Sequence, residues 1–281
     1  LAECLHRVQH AAQTLPEDAW IIGFGWNHNA WQPARYGTAQ ELDAVCAGRP
    51  AVLYAKSFHA SWVNSTALRL AGLTDASVDP PGGKLLRNAD GTLSGILLEN
   101  AMALVDRVIP PLKDIHFQEL LKQAQTHLLS MGITSVHDFD GLDCLEALQA
   151  LEANGELRMR VCKNLPGAQI EEIAQLGLKS GTSSEHLRLG WLKLFADGAL
   201  GPQTAAMLAP YEGSTSQGIL LMDADSVYEQ GVLAAALGLP LAIHAIGDAA
   251  VRAVLDGFER LRDYESVQHL PHLPHRIEHA Q

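Results

Sequence analysis

Residues 190–198 read Gly-Trp-Leu-Lys-Leu-Phe-Ala-Asp-Gly, and two later stretches of the chain follow the same pattern. The run is apolar and strand-like, but Lys193 lies at its centre and Asp197 and Gly198 end it. A lysine in a strand that is buried on both faces loses the hydration of its ammonium group, which costs free energy. We therefore expect Lys193 to be paired, deprotonated or chemically modified, and each of these states indicates a functional site.

Two later stretches repeat the pattern with histidine. Residues 239–248 form an apolar run with His244 near its end, and residues 275–281 carry His279 in a similar position. The lysine and the two histidines are 51 and 35 positions apart, with helix-like sequence between them. This is the spacing of successive strand–helix units, which would gather the three side chains at one mouth of a parallel barrel.

The composition is that of a globular protein and argues against several classes of function. A length of 281 residues is enough for one α/β domain with an insertion. The net charge of −12, without any basic run, argues against a nucleic-acid or membrane-surface partner. No apolar run approaches the ~20 residues of a membrane span, and we expect a cytoplasmic protein. The four cysteines show no CxxC spacing and are predicted to be reduced core thiols.

Residues 1–110 are predicted to form a small α+β subdomain that is inserted into the barrel. A helix is predicted to start at Thr38, where Glu41 completes a capping box. Residues 59–64 are predicted to be a loop that leads into a short helix. Strand-like segments on both sides of Asp90-Gly91 indicate a β-hairpin.

From about residue 117 onward the sequence alternates between helix and strand. This alternation indicates a parallel sheet, and polar residues at several strand ends favour a barrel over a doubly wound sheet. We therefore predict an α/β fold in which residues 111–281 form a partial TIM-like (β/α) barrel of about strands 2–6. The five predicted strands lie within residues 132–138, 157–162, 190–198, 239–248 and 275–281.

Lys193, His244 and His279 together suit a metal. Two neutral imidazoles and one anionic oxygen are good ligands for a borderline divalent cation such as Zn²⁺. Lysine is not a usual ligand, but a lysine that has reacted with CO₂ carries a carboxylate on a long arm. Two structural alternatives stay open, an ion pair of Lys193 with Asp197 or another acid, and hydrogen-bonded core histidines. The recurrence at equivalent strand positions favours the metal site.

Several motifs in the chain closely resemble the metal-dependent amidohydrolase superfamily, in its amidohydrolase type 3 branch, which includes the N-substituted formamide deformylases. The motifs that carry the resemblance are residues 192–198, 243–248 and 276–281, supported by residues 23–26, 59–65, 95–99 and 132–138. The resemblance covers essentially the whole chain and says little about the substrate.

The resemblance implies a distorted (β/α)₈ barrel with one or two divalent metal ions, zinc by preference, at its C-terminal mouth. It implies that Lys193 is the carboxylated bridging lysine and that His244 and His279 are the ligands from strands five and six. The family also uses a His-x-His pair on strand one and a general-base aspartate on strand eight, and residues 1–281 contain neither. We therefore expect an internal fragment of a longer enzyme that is inactive, or nearly so, by itself.

The implied reaction is hydrolysis of a C–N bond in a small amide or N-acyl substrate by metal-activated water. The alternative is a barrel scaffold that binds small molecules, or a regulatory protein, that has lost its metal site. Retention of Lys193, His244 and His279 together speaks against this alternative. A homodimer is a further expectation, because a partial barrel would expose strand edges.

Other residues are predicted to have supporting roles. The candidates for substrate binding are His59, Trp62, Asn64 and Glu99, and for the first three an ordinary packing cluster is the alternative. The candidates for support of the metal ligands are His137, Asp138, Asp197 and Asp248. A purely structural role is the alternative for His137 and Asp138, and helix capping is the alternative for Asp248. Residues 198–204 depart from the family, where serine and arginine are frequent, so we expect an altered substrate loop. The loop histidines His269, His272 and His275 are predicted to be solvated.

Overall fold

The computed structural model describes residues 1–110 and 114–281, with side chains in the second range from residue 117 onward. The chain divides into two compact units. The first contains Leu1–Pro110 and Gly198–Leu221, and the second contains Pro111–Asp197 and Met222–Gln281. The sequence predicted a single boundary at residue 110, with residues 198–221 in the second unit. The structure groups residues 198–221 with the first unit instead.

The first unit is built on a five-stranded mixed sheet. Its strands are β1 (Ile21–Trp26), β2 (Ala51–Ala55), β3 (Ala60–Val63), β4 (Gly83–Arg87) and β5 (Leu93–Glu99). Its helices are α1 (Ala2–Thr14), α2 (Ala39–Asp43), α3 (Ser65–Leu70) and α4 (Ala103–Asp106), with a 3₁₀ turn at His28–Ala30. The strand order is β1-β2-β3-β5-β4, in which β1 and β2 are parallel and the other neighbours are antiparallel.

Local sequence signals explain most of this unit. The predicted hairpin is confirmed, because β4 and β5 pair antiparallel on either side of Asp90-Gly91. The capping box is also confirmed, since the Thr38 hydroxyl accepts from the Glu41 amide and the Glu41 carboxylate accepts from the Thr38 amide. The prediction of a loop at residues 59–64 is wrong, because β3 lies there at the centre of the sheet. All four residues of β3 are buried, so the strand lacks the alternation that marks a half-buried strand.

Apolar side chains pack against both faces of this sheet. Leu53 of β2 and Trp62 of β3 belong to one core cluster, together with residues of α1. Their sequence neighbours Val52 and Val63 belong to a second cluster, together with residues of α3. Successive side chains of a strand point to opposite faces, so each strand contributes to both clusters.

The second unit is a parallel α/β arrangement. Its strands are β6 (Ser135–Asp138), β7 (Arg160–Pro166), β8 (Leu187–Phe195), β9 (Leu241–Ala245) and β10 (Arg276–His279). The helices between and before them are α5 (Asp114–Ser130), α6 (Leu142–Ala153), α7 (Ile170–Gln175), α8 (Ala224–Ala236) and α9 (Asp248–Val267). The strand order is β10-β9-β8-β7-β6 and all neighbours are parallel, which confirms the five predicted strands. The fold is mixed α/β with a curled, parallel half-barrel sheet.

Helices α8 and α9 approach each other closely at two glycines. A methyl group on Gly257 would lie 2.5 Å from Val227, and one on Gly231 would lie 2.5 Å from Leu261. Carbon atoms in packed interiors do not come this close, so the two glycines set the spacing of the helices. None of the helices in the described ranges is long and apolar enough to cross a membrane.

The prediction that His275 is solvated is wrong, because its side chain is only 1% exposed. Its Nδ1 accepts a hydrogen bond from the Leu241 amide at 2.9 Å, so its Nε2 carries the proton and donates it to Glu265 at 2.9 Å. Glu265 is fully buried, and Arg262 balances its charge at 2.6 Å. The other two histidines of this loop are exposed, as predicted. No local sequence pattern indicates this network, because the acid Glu265 lies on the preceding helix α9.

We predict that this network makes stability depend on pH. Burial lowers the pKa of His275 below its ordinary 6.5, although the hydrogen bond and charge of Glu265 act in the opposite direction. The folded chain therefore keeps His275 neutral, whereas the unfolded chain takes up a proton there as the pH falls below about 6.5. The free energy of unfolding should fall from about pH 7 to about pH 5.5, and His275→Ala should reduce that slope.

Urea unfolding at several pH values in this window measures the slope. The control is His127→Ala on α5, where the side chain is exposed and the wild-type slope should persist. If His275→Ala also kept the wild-type slope, the histidine would titrate alike in the folded and unfolded chains, and the assigned neutral form would be wrong.

Candidate metal centre

Lys193 lies in the middle of the parallel sheet and is only 7% exposed. Its Nζ donates to the carbonyl of Leu194 at 2.8 Å and lies 3.7 Å from the centre of the Phe195 ring. Among the side chains of residues 1–110 and 117–281, no carboxylate forms an ion pair with this amine, so the alternative of a pair with Asp197 does not hold. The lysine is therefore buried against a carbonyl and aromatic rings.

This environment changes the chemistry of the amine. Burial lowers the pKa of Lys193 from 10.5 to about 7, while the charge of Glu278 raises it and that of Arg276 lowers it further. A large share of the amine is then unprotonated near neutral pH. The unprotonated amine is the nucleophilic form, so Lys193 is suited to react with a carbonyl carbon or CO₂.

The strand register places Lys193 and His244 on the same face of the sheet. Lys193 is level with Ala242, and His244 is level with Phe195. Residues two apart in a strand share a face, so the side chains at 193 and 195 point the same way as those at 242 and 244. His244 is only 3% exposed, and its ring lies 5.3 Å from the ring of Phe195. Parallel pairing thus brings the buried lysine and the buried histidine to one surface.

His279 approaches His244 by leaving the regular strand conformation. The register sets His279 beside Ala245, so regular alternation would direct the two imidazoles to opposite faces. The φ angle of His279 is 76°, in the left-handed region, and the two ring centroids lie 4.7 Å apart. Left-handed backbone is uncommon in residues other than glycine, and strained conformations cluster at functional sites. The pair of histidines is therefore formed by a local backbone change.

Asp197 holds the turn that follows His244. This carboxylate is fully buried and accepts hydrogen bonds from the amides of Ile246 at 3.0 Å and Gly247 at 2.7 Å. Its Oδ1 also lies 3.6 Å from His244 Nε2. Gly247 is the N-cap of α9, and Asp248 is the first residue of that helix. Asp197 thus fixes the backbone on the C-terminal side of the histidine.

Two residues that the sequence analysis did not select lie on the same face. The register of β10 places Arg276 and Glu278 on the side that carries Lys193. Arg276 pairs with Glu278 at 2.6 Å, lies 3.8 Å above the Trp191 ring and contacts Nδ1 of His137 at 3.3 Å. The only described hydrogen bond of the His137 side chain is this one. The sequence contains a signal for this arrangement. Residues two apart in a strand share a face, so Arg276 and Glu278 are expected on the same face of β10.

Asp138 belongs to a separate group. The fully buried Lys163 places its Nζ 2.5 Å from Asp138 and also donates to the carbonyl of Asp140. Ligand atoms of Asp138, Asp140 and Cys144 lie within 4.8 Å of one another. Burial raises the pKa of the Cys144 thiol to about 12, so it is not a thiolate. Because the ammonium of Lys163 already supplies the cation, we assign this group a structural ion pair.

Two of the substrate-binding candidates, Trp62 and Asn64, have structural roles in the first unit. Both are fully buried, and the Trp62 indole donates to a backbone carbonyl at 2.9 Å. The Asn64 carbonyl oxygen accepts from the amides of Ala51 and Ala67, each at 3.0 Å. Its amide nitrogen donates to the carbonyl of Arg49 at 2.8 Å. Asn64 therefore caps α3 and joins it to β2.

The other two candidates, His59 and Glu99, form a hydrogen-bonded pair in the same unit. Nδ1 of His59 lies 2.8 Å from Glu99, and the Thr204 hydroxyl donates to the second oxygen of that carboxylate at 2.5 Å. The three side chains are almost wholly buried. Glu99 has a φ angle of 50°, so it too adopts a left-handed backbone. A carboxylate in this position orients the imidazole ring.

Comparison with known proteins identifies the family. Residues 1–281 match the model of the amidohydrolase family, and the chain belongs to that family. It is 32% identical over 263 residues to the putative amidohydrolase YtcJ of Bacillus subtilis, which covers 91% of this chain and 49% of that protein. It is 28% identical over 297 residues to the N-substituted formamide deformylase of Arthrobacter pascens, which covers 98% of this chain and 53% of that protein.

A solved structure shows the same relationship. The chain is similar to an uncharacterized metal-dependent hydrolase from Pyrococcus furiosus, with a TM-score of 0.65 and 32% identity over 99% of this chain and 54% of that chain. The chain spans about half the length of the curated relatives it matches. The family predicted from the motifs is confirmed.

We predict that Asn64→Ala destabilises the first unit. The substitution leaves two buried amides and one carbonyl without their partner and removes the cap of α3, so the free energy of unfolding should fall by about 2–4 kcal/mol. Gln40→Ala removes an amide from an exposed helical position and should change stability by less than about 0.5 kcal/mol. Urea unfolding measures both. A loss as small as that of the control would return Asn64 to the candidates for ligand binding.

Proposed function

We propose that this chain is the metal-binding part of a hydrolase that cleaves the C–N bond of small amide or N-acyl compounds, with Lys193, His244 and His279 as the metal ligands. The observation that carries the proposal is that the three residues come from neighbouring parallel strands, near the C-terminal ends of β9 and β10. In barrel folds of this type, active sites lie at that end of the strands. The left-handed backbone at His279, which turns its ring toward His244, supports the same assignment.

The donor set suits a divalent cation, for which we propose zinc. The two imidazoles supply nitrogen ligands that such ions prefer. We further propose that Lys193 is carboxylated, in a reaction in which the unprotonated amine attacks CO₂, a nitrogen–carbon bond forms and a proton leaves to solvent. The carbamate turns a buried cation into an anion with an oxygen ligand. A metal ion at this position would neutralise the buried anion.

The protein residues position the ligands before any ion binds. Asp197 fixes the backbone directly after His244 through two hydrogen bonds. The guanidinium of Arg276 in β10 lies over the Trp191 ring of β8, so this contact joins the two strands across β9. Arg276 also pairs with Glu278 of its own strand. A divalent ion held by the three ligands would act as a Lewis acid that polarises a carbonyl and lowers the pKa of water toward ~7.

Metal binding and turnover are expected to depend on different residues. The family resemblance assigns the general base to an aspartate that has no counterpart among residues 1–281. We therefore expect these residues by themselves to bind metal and to hydrolyse amides slowly or not at all. The alternative of a scaffold or regulatory protein without a metal site makes the opposite prediction about metal content, so one measurement distinguishes the two.

We predict about one divalent ion per chain after purification with zinc and bicarbonate, because three ligands of this kind hold Zn²⁺. The triple variant Lys193→Ala, His244→Ala, His279→Ala should lose this ion. Metal content is measured by inductively coupled plasma mass spectrometry. Removal of bicarbonate and CO₂ should reduce the metal content of the wild-type protein, because the carbamate would not form.

The matched control replaces three exposed residues of the same types, in the variant Lys179→Ala, His127→Ala, His10→Ala. Its metal content should equal that of the wild type. Equal metal in the site variant and the control would place the ion elsewhere and exclude these three ligands. A wild-type protein that stayed free of metal under these conditions would contradict the proposed site and favour the scaffold alternative.

A further inference from the structure

Four strands lie at the ends of the two sheets in the described part of the chain, and one of them lacks the residues that usually protect a sheet edge. These strands are β1 and β4 in the first unit and β6 and β10 in the second. An edge strand presents unpaired backbone N–H and C=O groups, which proteins commonly protect with charged residues or proline. β4 carries Lys84 and Arg87, β6 carries Asp138, and β10 carries Arg276 and Glu278. β1 reads Ile-Ile-Gly-Phe-Gly-Trp, with neither a charge nor a proline.

The pairing of β1 with β2 shows which backbone groups of β1 face the open edge. The Ile21 amide donates to the Pro50 carbonyl at 2.9 Å, at the start of the parallel pairing. Alternate residues of a parallel strand bond to the same neighbour, so Ile22 and Phe24 direct their N–H and C=O groups away from β2. No strand in the described ranges lies on that side of β1. Two donors and two acceptors are therefore directed at the open edge.

The side chains of the same two residues are large, apolar and exposed. Ile22 is 52% exposed and Phe24 is 79% exposed. The register sets them level with Val52 and Tyr54, which belong to or pack against the core cluster on that face of the sheet. The apolar core therefore continues to the open edge, where a further strand with apolar side chains would extend it.

We propose that β1 pairs with β1 of a second copy of this chain, in antiparallel orientation, with Gly23 of one copy opposite Gly23 of the other. This register sets Ile22 of each copy opposite Phe24 of its partner, so the two pairs exchange four backbone hydrogen bonds across a two-fold axis. A second copy fits this edge because the edge supplies both members of each pair. The net charge of −12 opposes association of two copies, but pairing at β1 brings no like charges directly opposite each other.

The paired segment is short, so we expect a weak dimer. The register of β1 with β2 shifts between Phe24 and Trp26, which limits regular pairing at the edge to Ile21–Phe24. A small interface of this kind should give a dimer Kd of about 10–100 µM. Sedimentation equilibrium at concentrations below and above this range measures the Kd. EDTA is present throughout, so metal-mediated association does not contribute and a failure of the proposed hydrolase would leave the result unchanged.

Two variants test the edge and its register. The first, Ile22→Lys with Phe24→Lys, should weaken association about tenfold or more, because like charges would lie directly opposite each other in both pairs. The second, Ile22→Lys with Phe24→Glu, sets opposite charges against each other in the proposed register. It should associate more strongly than the first variant at low salt, and the difference should disappear at about 1 M salt because the charges are screened.

The matched control is Leu70→Lys with Val78→Lys, which makes the same change of charge at two exposed apolar residues of the first unit outside β1. Its association should equal that of the wild type. Both test variants change the same two residues, so the difference between them reports on the register and not on damage to the fold. A wild-type chain that stays monomeric, a first variant that associates like the control, or a second variant no stronger than the first at low salt would each overturn the proposal.

Discussion

The cost of burying one amine shapes the second unit. Lys193 lies in the central strand of a five-stranded parallel sheet, where it contacts a carbonyl and aromatic rings and forms no ion pair with any described acid. A charged ammonium is unfavourable there, and the lowered pKa expresses that cost. A fold that only needed stability would place an apolar residue at this position. The proposed role of Lys193 as a reactive group would explain why His244, His279 and Asp197 are arranged near it.

The positions of the proposed ligands depend on the backbone as much as on the side chains. Asp197 uses a buried carboxylate to hold the turn after His244, which is a strong charge-assisted interaction. His279 uses a left-handed φ angle to turn its ring toward its neighbour. Both features constrain main-chain atoms beside a proposed ligand, so the fold itself holds the two imidazoles close together. Such preorganisation lowers the free-energy cost of assembling a site.

The sequence predicted those parts of the molecule that follow a simple period or a local turn signal. The parallel strands, the hairpin at Asp90-Gly91 and the capping box at Thr38 are of this kind. It did not predict β3, because a strand buried on both faces shows no alternation. The burial of His275 depends on a glutamate of the preceding helix, and the association of residues 198–221 with the first unit depends on long-range packing. Neither contact leaves a local pattern in the sequence.

For the candidate site, spacing and resemblance together selected Lys193 and the two histidines as candidates, while Arg276 and Glu278 were not among them. The missed pair had a signal, since both residues alternate onto the face of the lysine. Asn64 also lies within a family motif, and its side-chain amide forms three hydrogen bonds inside the fold. A motif thus selects a residue, and the hydrogen bonds in the structure show its role in the fold.

The register of β8 and β9 has a consequence for evolution at position 193. The lysine is level with Ala242, two residues before His244, which corresponds to about 6.6 Å along the strand. A side chain must be long to cover that offset, and aspartate or glutamate would fall short of it without a slip of the strand by two residues. Such a slip would disturb every core contact of the sheet. The carboxylation proposed for Lys193 would supply an acid with the required reach and would leave the register intact.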